Sequence, residues 1–172
     1  MIVIALGANL PSKSGPPIET MNAALVRLRR HGIKTLLRSS FYLADAVPAG
    51  SGPRYHNAAA IVDAPFGPAA LMQTLQSTEI WFGRRRLTRN EPRLLDLDLI
   101  DFHGLQMGWD VEIMASGAVS GLVLPHPRAH LRGFVLRPIK EIAPGWKHPV
   151  FGKSAFELLE MGPNTQKITR LP

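Results

Sequence analysis

The chain has 172 residues, 45% of them hydrophobic, with no cysteine and with 20 Lys and Arg against 13 Asp and Glu, a formal net charge of +7. That length fits one domain, residues 1–172, with a genuine core. The missing cysteines exclude a disulfide framework and thiolate metal sites, so any metal is expected to be hard, such as Mg²⁺, and held by carboxylates or histidines.

The positive balance favours anionic partners: nucleotides, phosphorylated metabolites, nucleic acid or acidic lipid. Charges interrupt every apolar run before it reaches the length of a membrane span, so the cytoplasm is the default location.

"MIVIALGANL" has no basic leader and reads as a first strand over Ile2 to Leu6, closed by the loop "GANLPSKSGPP". Ile18, Met21, Leu25 and Leu28 then recur at helical spacing, with prolines at the start, arginines in the last turns and Gly32 at the end. "IKTLLRSSFYLA" and "YHNAAAIVDA" read as strands around the Gly/Pro-rich "DAVPAGSGPR", a loop long enough to carry function. Leu71, Leu75, Thr78 and Phe82 mark a second helix ending at Gly83.

The alternation in "EPRLLDLDLID" marks a strand with two unlike faces, Leu95, Leu97 and Leu99 on one and Asp96 and Asp98 on the other. Beyond it, "FHGLQMGWDVEIM" is expected to be a hairpin, "GFVLRPIKEIAP" a helix and Ala155 to Glu160 a short final helix. The order βαββαβ predicts an α+β, ferredoxin-like sandwich: an antiparallel sheet with helices on one face, plus the added hairpin and C-terminal helices.

Two motifs are decoys. "GWKHPVFGKS" puts six residues between its glycines where a phosphate-binding P-loop needs four, and "HPRAH" interrupts its histidine pair with a proline and lacks the glutamate of a zinc helix. The carboxylate pair carries more. Asp96 and Asp98, about 6.5–7 Å apart along a strand, repel each other and call for a cation. Arg84, Arg85, Arg86, Arg89 and Arg93 fall within ten residues just upstream. Carboxylates for Mg²⁺ beside a positive clamp are what phosphoryl transfer requires.

"EPRLLDLDLI" resembles the signature of the 6-hydroxymethyl-7,8-dihydropterin pyrophosphokinase family of folate biosynthesis. "IALGANL", "SSFYLADAVPAG", "YHNAAAIV", "QSTEIWFGR" and "LPHPRAHLRGFVLRPIKEIAP" are similar to further family segments in the same order. The resemblance implies transfer of pyrophosphate from ATP to the pterin hydroxymethyl group, releasing AMP. By the same resemblance Asp96 and Asp98 ligate two Mg²⁺, and Asp98 is a candidate proton acceptor. Arg93 and Arg84 join them as catalytic residues, Arg84 and Arg86 belonging to a mobile loop that closes over ATP. Gln76, Glu79, His126 and Arg132 match nucleotide-site positions, Glu79 toward the ribose and Arg93, His126 and Arg132 toward the phosphates. On the pterin side fall Ala44 and Val47 of the first substrate loop, Tyr55, Asn57 on the ring edge, and Phe134 stacking on the ring.

Departures are Asn90 where many members carry tryptophan, an arginine loop one residue shorter, Glu91 in place of glycine, and Pro127 where some have tyrosine. A monomer without nucleic-acid or membrane partners is expected. A basic RNA-binding module and a different Mg²⁺-dependent phosphoryl or nucleotidyl transferase are the competing readings. The first lacks paired aromatics on its central strands, and the products would separate the second.

Overall fold

The computed structural model describes residues 1–46, 52–84, 93–109, 121–162 and 166–172. Within these the chain forms β1 (Ile2–Ala8), α1 (Pro17–Arg30), β2 (Lys34–Arg38), β3 (Tyr42–Ala44), β4 (Tyr55–Asp63), α2 (Pro68–Trp81), β5 (Asp96–Phe102), a 3₁₀ turn (Ala129–Leu131), α3 (Gly133–Ile142), α4 (Ala155–Met161) and β6 (Ile168–Arg170). The sheet runs β5-β1-β4-β3-β6, with β2 also on β4, and each of these strand pairings is antiparallel.

The ends of both long helices follow from their sequences. Each starts at a proline, whose fixed φ and missing N–H suit the first turn. Each also ends on a glycine at positive φ, Gly32 at 83° and Gly83 at 96°. At the second of these the Gly83 N–H donates to the Ile80 carbonyl and the Arg84 N–H to that of Glu79, which closes the last turn and brings Arg84 back over Glu79.

The sheet is buried on both faces. Ile2, Ile4, Leu6, Ala58, Ala60, Val62, Leu97 and Leu99 pack with Met21 and Leu28 of α1 and Leu71 and Leu75 of α2. Val3, Ala5, Ala59 and Ile100 pack on the opposite face with Val135, Leu136 and Ile139 of α3 and Leu158 of α4. Cover on one face was expected. The added C-terminal helices cover the other, because the second face of β1 and β4 is itself apolar and must be kept from water.

Three further expectations change in detail. "IKTLLRSSFYLA" divides into β2 and β3, because Ser39 breaks the ladder: its N–H donates to the Ala59 carbonyl while its Oγ accepts the Ala59 N–H at 3.0 Å in place of a backbone carbonyl. The expected hairpin after β5 begins with a turn at Gly104 and a reciprocal backbone pair between Met107 and Leu124; its residues 110–120 lie outside the described ones. The strand β6, only three residues long, was not anticipated. Among the described residues no helix is long and apolar enough to cross a membrane.

Candidate active site

The site grows from β5. Asp96 pairs in register with Gly7 of β1, and Gly7 with Asn57 of β4, so the two polar side chains stand in one row across three strands. Gly7 is the gap between them. A Cβ there would lie 3.5 Å from Asn57 Oδ1 and 3.7 Å from Asp96 Cβ, so any larger side chain would fill the floor that separates them. Further along β5 the register with β1 shifts between Val3 and Ile4. That bulge returns Asp101 to the face of Asp96 and Asp98, where strict alternation would have put it among the leucines. Asp101 is buried there, accepting from Trp146 Nε1 at 2.6 Å and from the Gly104 N–H at 2.7 Å.

Cations ring the carboxylate pair. Arg93 Nη1 lies 2.6 Å from Asp96 Oδ2 and Arg84 Nη1 lies 2.8 Å from Asp96 Oδ1, while Arg132 Nη1 lies 3.2 Å from Asp98 Oδ2. His126 Nε2 faces the same Asp98 oxygen at 3.8 Å. Its Nδ1 accepts the Arg128 N–H, which leaves the ring proton on Nε2, and burial lowers its pKa to about 4, so the ring is neutral at pH 7. Burial raises the pKa of Asp96, and the charge of Asp98 adds to this. At Asp98 burial also acts upward but is overcome by its cationic surroundings, and its pKa falls; at pH 7 the charged partner in contact is Arg132.

Glu79 approaches from beneath. Its Oε1 accepts the Leu97 N–H at 2.7 Å and pairs with Arg84, and burial pushes its pKa up to about 7. The group expected to meet the ribose is thus buried and engaged as an anchor for β5 and Arg84. Gln76 lies one turn earlier on α2, half-buried.

On the other side of Gly7, Asn57 is buried and donates from Nδ2 to the Tyr55 carbonyl at 3.0 Å, and Ala44 of β3 pairs with Tyr55. Phe134 is half-buried on the first turn of α3, 5.6 Å from the Arg132 guanidinium. The structure thus brings Asp96, Asp98, Arg84, Arg93, His126 and Arg132 together, with Glu79 below and Asn57 across Gly7. Val47, Arg86, Asn90 and Glu91 lie outside the described residues.

Asn9 was missed by the sequence reading. It is buried, accepts the Arg93 N–H at Oδ1 (2.6 Å), donates to the Pro53 carbonyl (3.1 Å) and bonds the Tyr55 side chain. Its position in "GANL" just after a strand was the available signal.

Two carboxylates suit a hard divalent ion bound through one or two protein oxygens together with phosphate and water. Among the described residues no cluster of three or more acidic, histidine or cysteine side chains could hold a metal. Phosphate oxygens and water would complete the coordination of such an ion, and the surrounding guanidiniums are suited to phosphates. Fold and site define a transferase that handles a polyphosphate.

The comparisons narrow this. The sequence model of the 7,8-dihydro-6-hydroxymethylpterin-pyrophosphokinase (HPPK) family matches residues 3–144. A 2-amino-4-hydroxy-6-hydroxymethyldihydropteridine pyrophosphokinase of Synechocystis is 35% identical over 92% of this chain and 74% of its own length. One from Pseudomonas aeruginosa is 33% identical over 99% of this chain and 96% of its own. The chain belongs to the HPPK family, and its activity is pyrophosphoryl transfer to a hydroxymethyldihydropterin in folate synthesis. A solved HPPK-DHPS structure in complex with substrates shares the fold, with a TM-score of 0.68 at 12% identity over 93% of this chain; the chain spans 42% of that longer protein.

Proposed function

We propose that the chain uses Mg-ATP as the pyrophosphoryl donor and 6-hydroxymethyl-7,8-dihydropterin as acceptor, giving the pterin diphosphate and AMP, within one domain acting as a cytoplasmic monomer. The observation that carries this reading is the arginine-ringed pair Asp96 and Asp98, separated from Asn57 by the bare backbone of Gly7. Asp96 and Asp98 would hold two Mg²⁺, which when bound supply charge neutralisation on the triphosphate and activation of the β-phosphorus.

The protein's own groups do the positioning. Arg84, Arg93 and Arg132 exchange their carboxylate contacts for phosphate oxygens, and His126 donates from Nε2 as a neutral ring. Gln76 and Glu79 bound the nucleoside side, and Arg86 adds charge from the arginine loop. Asn57 reads the pterin edge, with Tyr55 and Ala44 beside it and Phe134 on the ring face. The pterin hydroxyl oxygen forms a bond to the β-phosphorus as the bond from that phosphorus to the bridging oxygen of AMP breaks. Asp98 is the candidate to receive the hydroxyl proton. Holding the two substrates in line supplies much of the rate.

The test is nucleotide product analysis with Mg-ATP, with and without the pterin. AMP released only when both pterin and Mg²⁺ are present supports the reading. ADP or inorganic pyrophosphate as product, or AMP released without pterin, overturns it.

A further inference from the structure

The C-terminal strand lies beyond residue 144, where the family match ends, yet it reaches the pterin side of the site from two directions. β6 pairs with β3 residue for residue, Ile168 opposite Ala44, and the Leu171 N–H donates to the Phe41 carbonyl at 2.8 Å. At the end of β3 the contact continues onto Asp45. The Asp45 N–H donates to the Lys167 carbonyl at 3.3 Å, and the Asp45 carbonyl accepts from Gln166 Nε2 at 2.6 Å. The Asp45 carboxylate pairs in turn with Arg54 at 2.8 Å, so the two residues bracketing the first substrate loop are tied to each other and, through Asp45, to the C-terminal segment.

The second direction is toward α3. Ile168 Cδ1 lies 3.0 Å from where a Cβ on Gly133 would stand, so the strand seats against the first residue of the helix, between Arg132 and Phe134.

We infer that Gln166 and Ile168 are positioning residues for the pterin: together they hold the end of β3 at Asp45 and the start of α3 at a fixed separation. The inference rests on the reading of Asn57, Tyr55 and Phe134 as the pterin side. Binding a planar heterocycle between two segments is tightest when neither must be ordered by the ligand. The Gln166 hydrogen bond fixes the Asp45 carbonyl at the end of β3, and Ile168 limits the approach of α3. In this reading ATP lies on the Asp96 side of Gly7, so nucleotide affinity is expected to be independent of both.

The experiment compares Gln166→Met, which keeps the length and removes the donor, with Asn57→Ala. Calorimetry of the pterin in the presence of Mg²⁺ and an unreactive ATP analogue, calorimetry of the analogue alone, and steady-state kinetics are run on each. Gln166→Met should weaken the pterin about fivefold, the effect of one neutral hydrogen bond, and raise its KM equally. Analogue affinity and kcat at saturation should stay unchanged, and the thermal midpoint should fall by about 2–4 °C, the stability cost of the same bond. Unchanged pterin affinity, or equal losses for pterin and analogue, overturns the inference. If Asn57→Ala weakens the pterin while Gln166→Met does not, the inference alone fails; if both spare it, the pterin-side reading itself has failed.

Discussion

The two faces of β5 are made from neighbouring residues and obey different rules. On one, Leu97 and Leu99 are buried among the side chains of α1 and α2, where geometry and volume decide everything. On the other, Asp96 and Asp98 stand partly open among guanidiniums. The apolar face fixes where the polar face points. Each leucine is a packing anchor that prevents the carboxylates from rotating away from the arginines, because slipping the strand by one residue would exchange the faces. Glu79 joins the faces: it lies on α2, in the apolar layer, yet takes the Leu97 N–H and Arg84.

The largest effect expected is therefore on the apolar face. Leu97→Asp buries an unpaired charge and should cost more than about 4 kcal/mol, enough to leave most of the chain unfolded. Far-ultraviolet circular dichroism of a native-like variant would refute the packing argument. Next come Asp96→Ala and Asp98→Ala, one residue to either side. Each should lower kcat on the order of a thousandfold, about 4 kcal/mol in the barrier, with the thermal midpoint little changed. Near-parental turnover of either at saturating Mg²⁺ would remove the carboxylates from the mechanism.

Asp101 sharpens the contrast, because it shares the face of Asp96 and Asp98 but is spent on structure. Its two oxygens satisfy Trp146 Nε1 and the Gly104 N–H in a buried position. Asp101→Ala should cost about 3 kcal/mol in urea unfolding through the donors left unpaired, while kcat and both KM values of the folded fraction stay close to parental. A loss of kcat without a loss of stability would put Asp101 in the reaction instead.

These residues also show what could be read in advance. The Asp-Leu alternation and the arginine cluster were visible because each is a local pattern with a physical meaning, and the helix ends because Pro and Gly act locally. Asp101 was not legible, since the bulge that turns it depends on pairing with Val3 and Ile4 nearly one hundred residues away. Asn9 was missed for a similar reason: its partners Arg93 and Pro53 converge only in the folded chain. The second helical layer followed from apolar residues on both faces of β1, but those read equally well as a central strand of a one-layer sandwich. β6 has three residues, too few for any periodicity to register.

The smallest effect expected lies behind the site, on the α3 side. His148 is fully buried beside His130, with Trp146, Trp109 and Phe151 around it, and its Nδ1 accepts the Val150 N–H. Burial, with a smaller contribution from His130, lowers its pKa from 6.5 to about 4. Because the folded pKa is below the unfolded one, unfolding takes up a proton between these values. The neutral ring's contribution is fully present above pH 6.5 and is lost as the pH falls toward 4. Between pH 7 and pH 5 the loss should be about 2 kcal/mol. His126, with its pKa also about 4, contributes a slope of the same sign, so the parent alone cannot isolate His148. His148→Asn can, since the amide oxygen takes the place of Nδ1 as acceptor and does not titrate. Urea unfolding at pH 7, 6 and 5 should find the variant less stable than the parent at pH 7 and the difference narrowing by about 2 kcal/mol at pH 5. Parallel pH profiles for the two proteins would mean that His148 takes up its proton in the fold as readily as in the unfolded chain, and that the α3 side tolerates buried charge away from the site as well as within it.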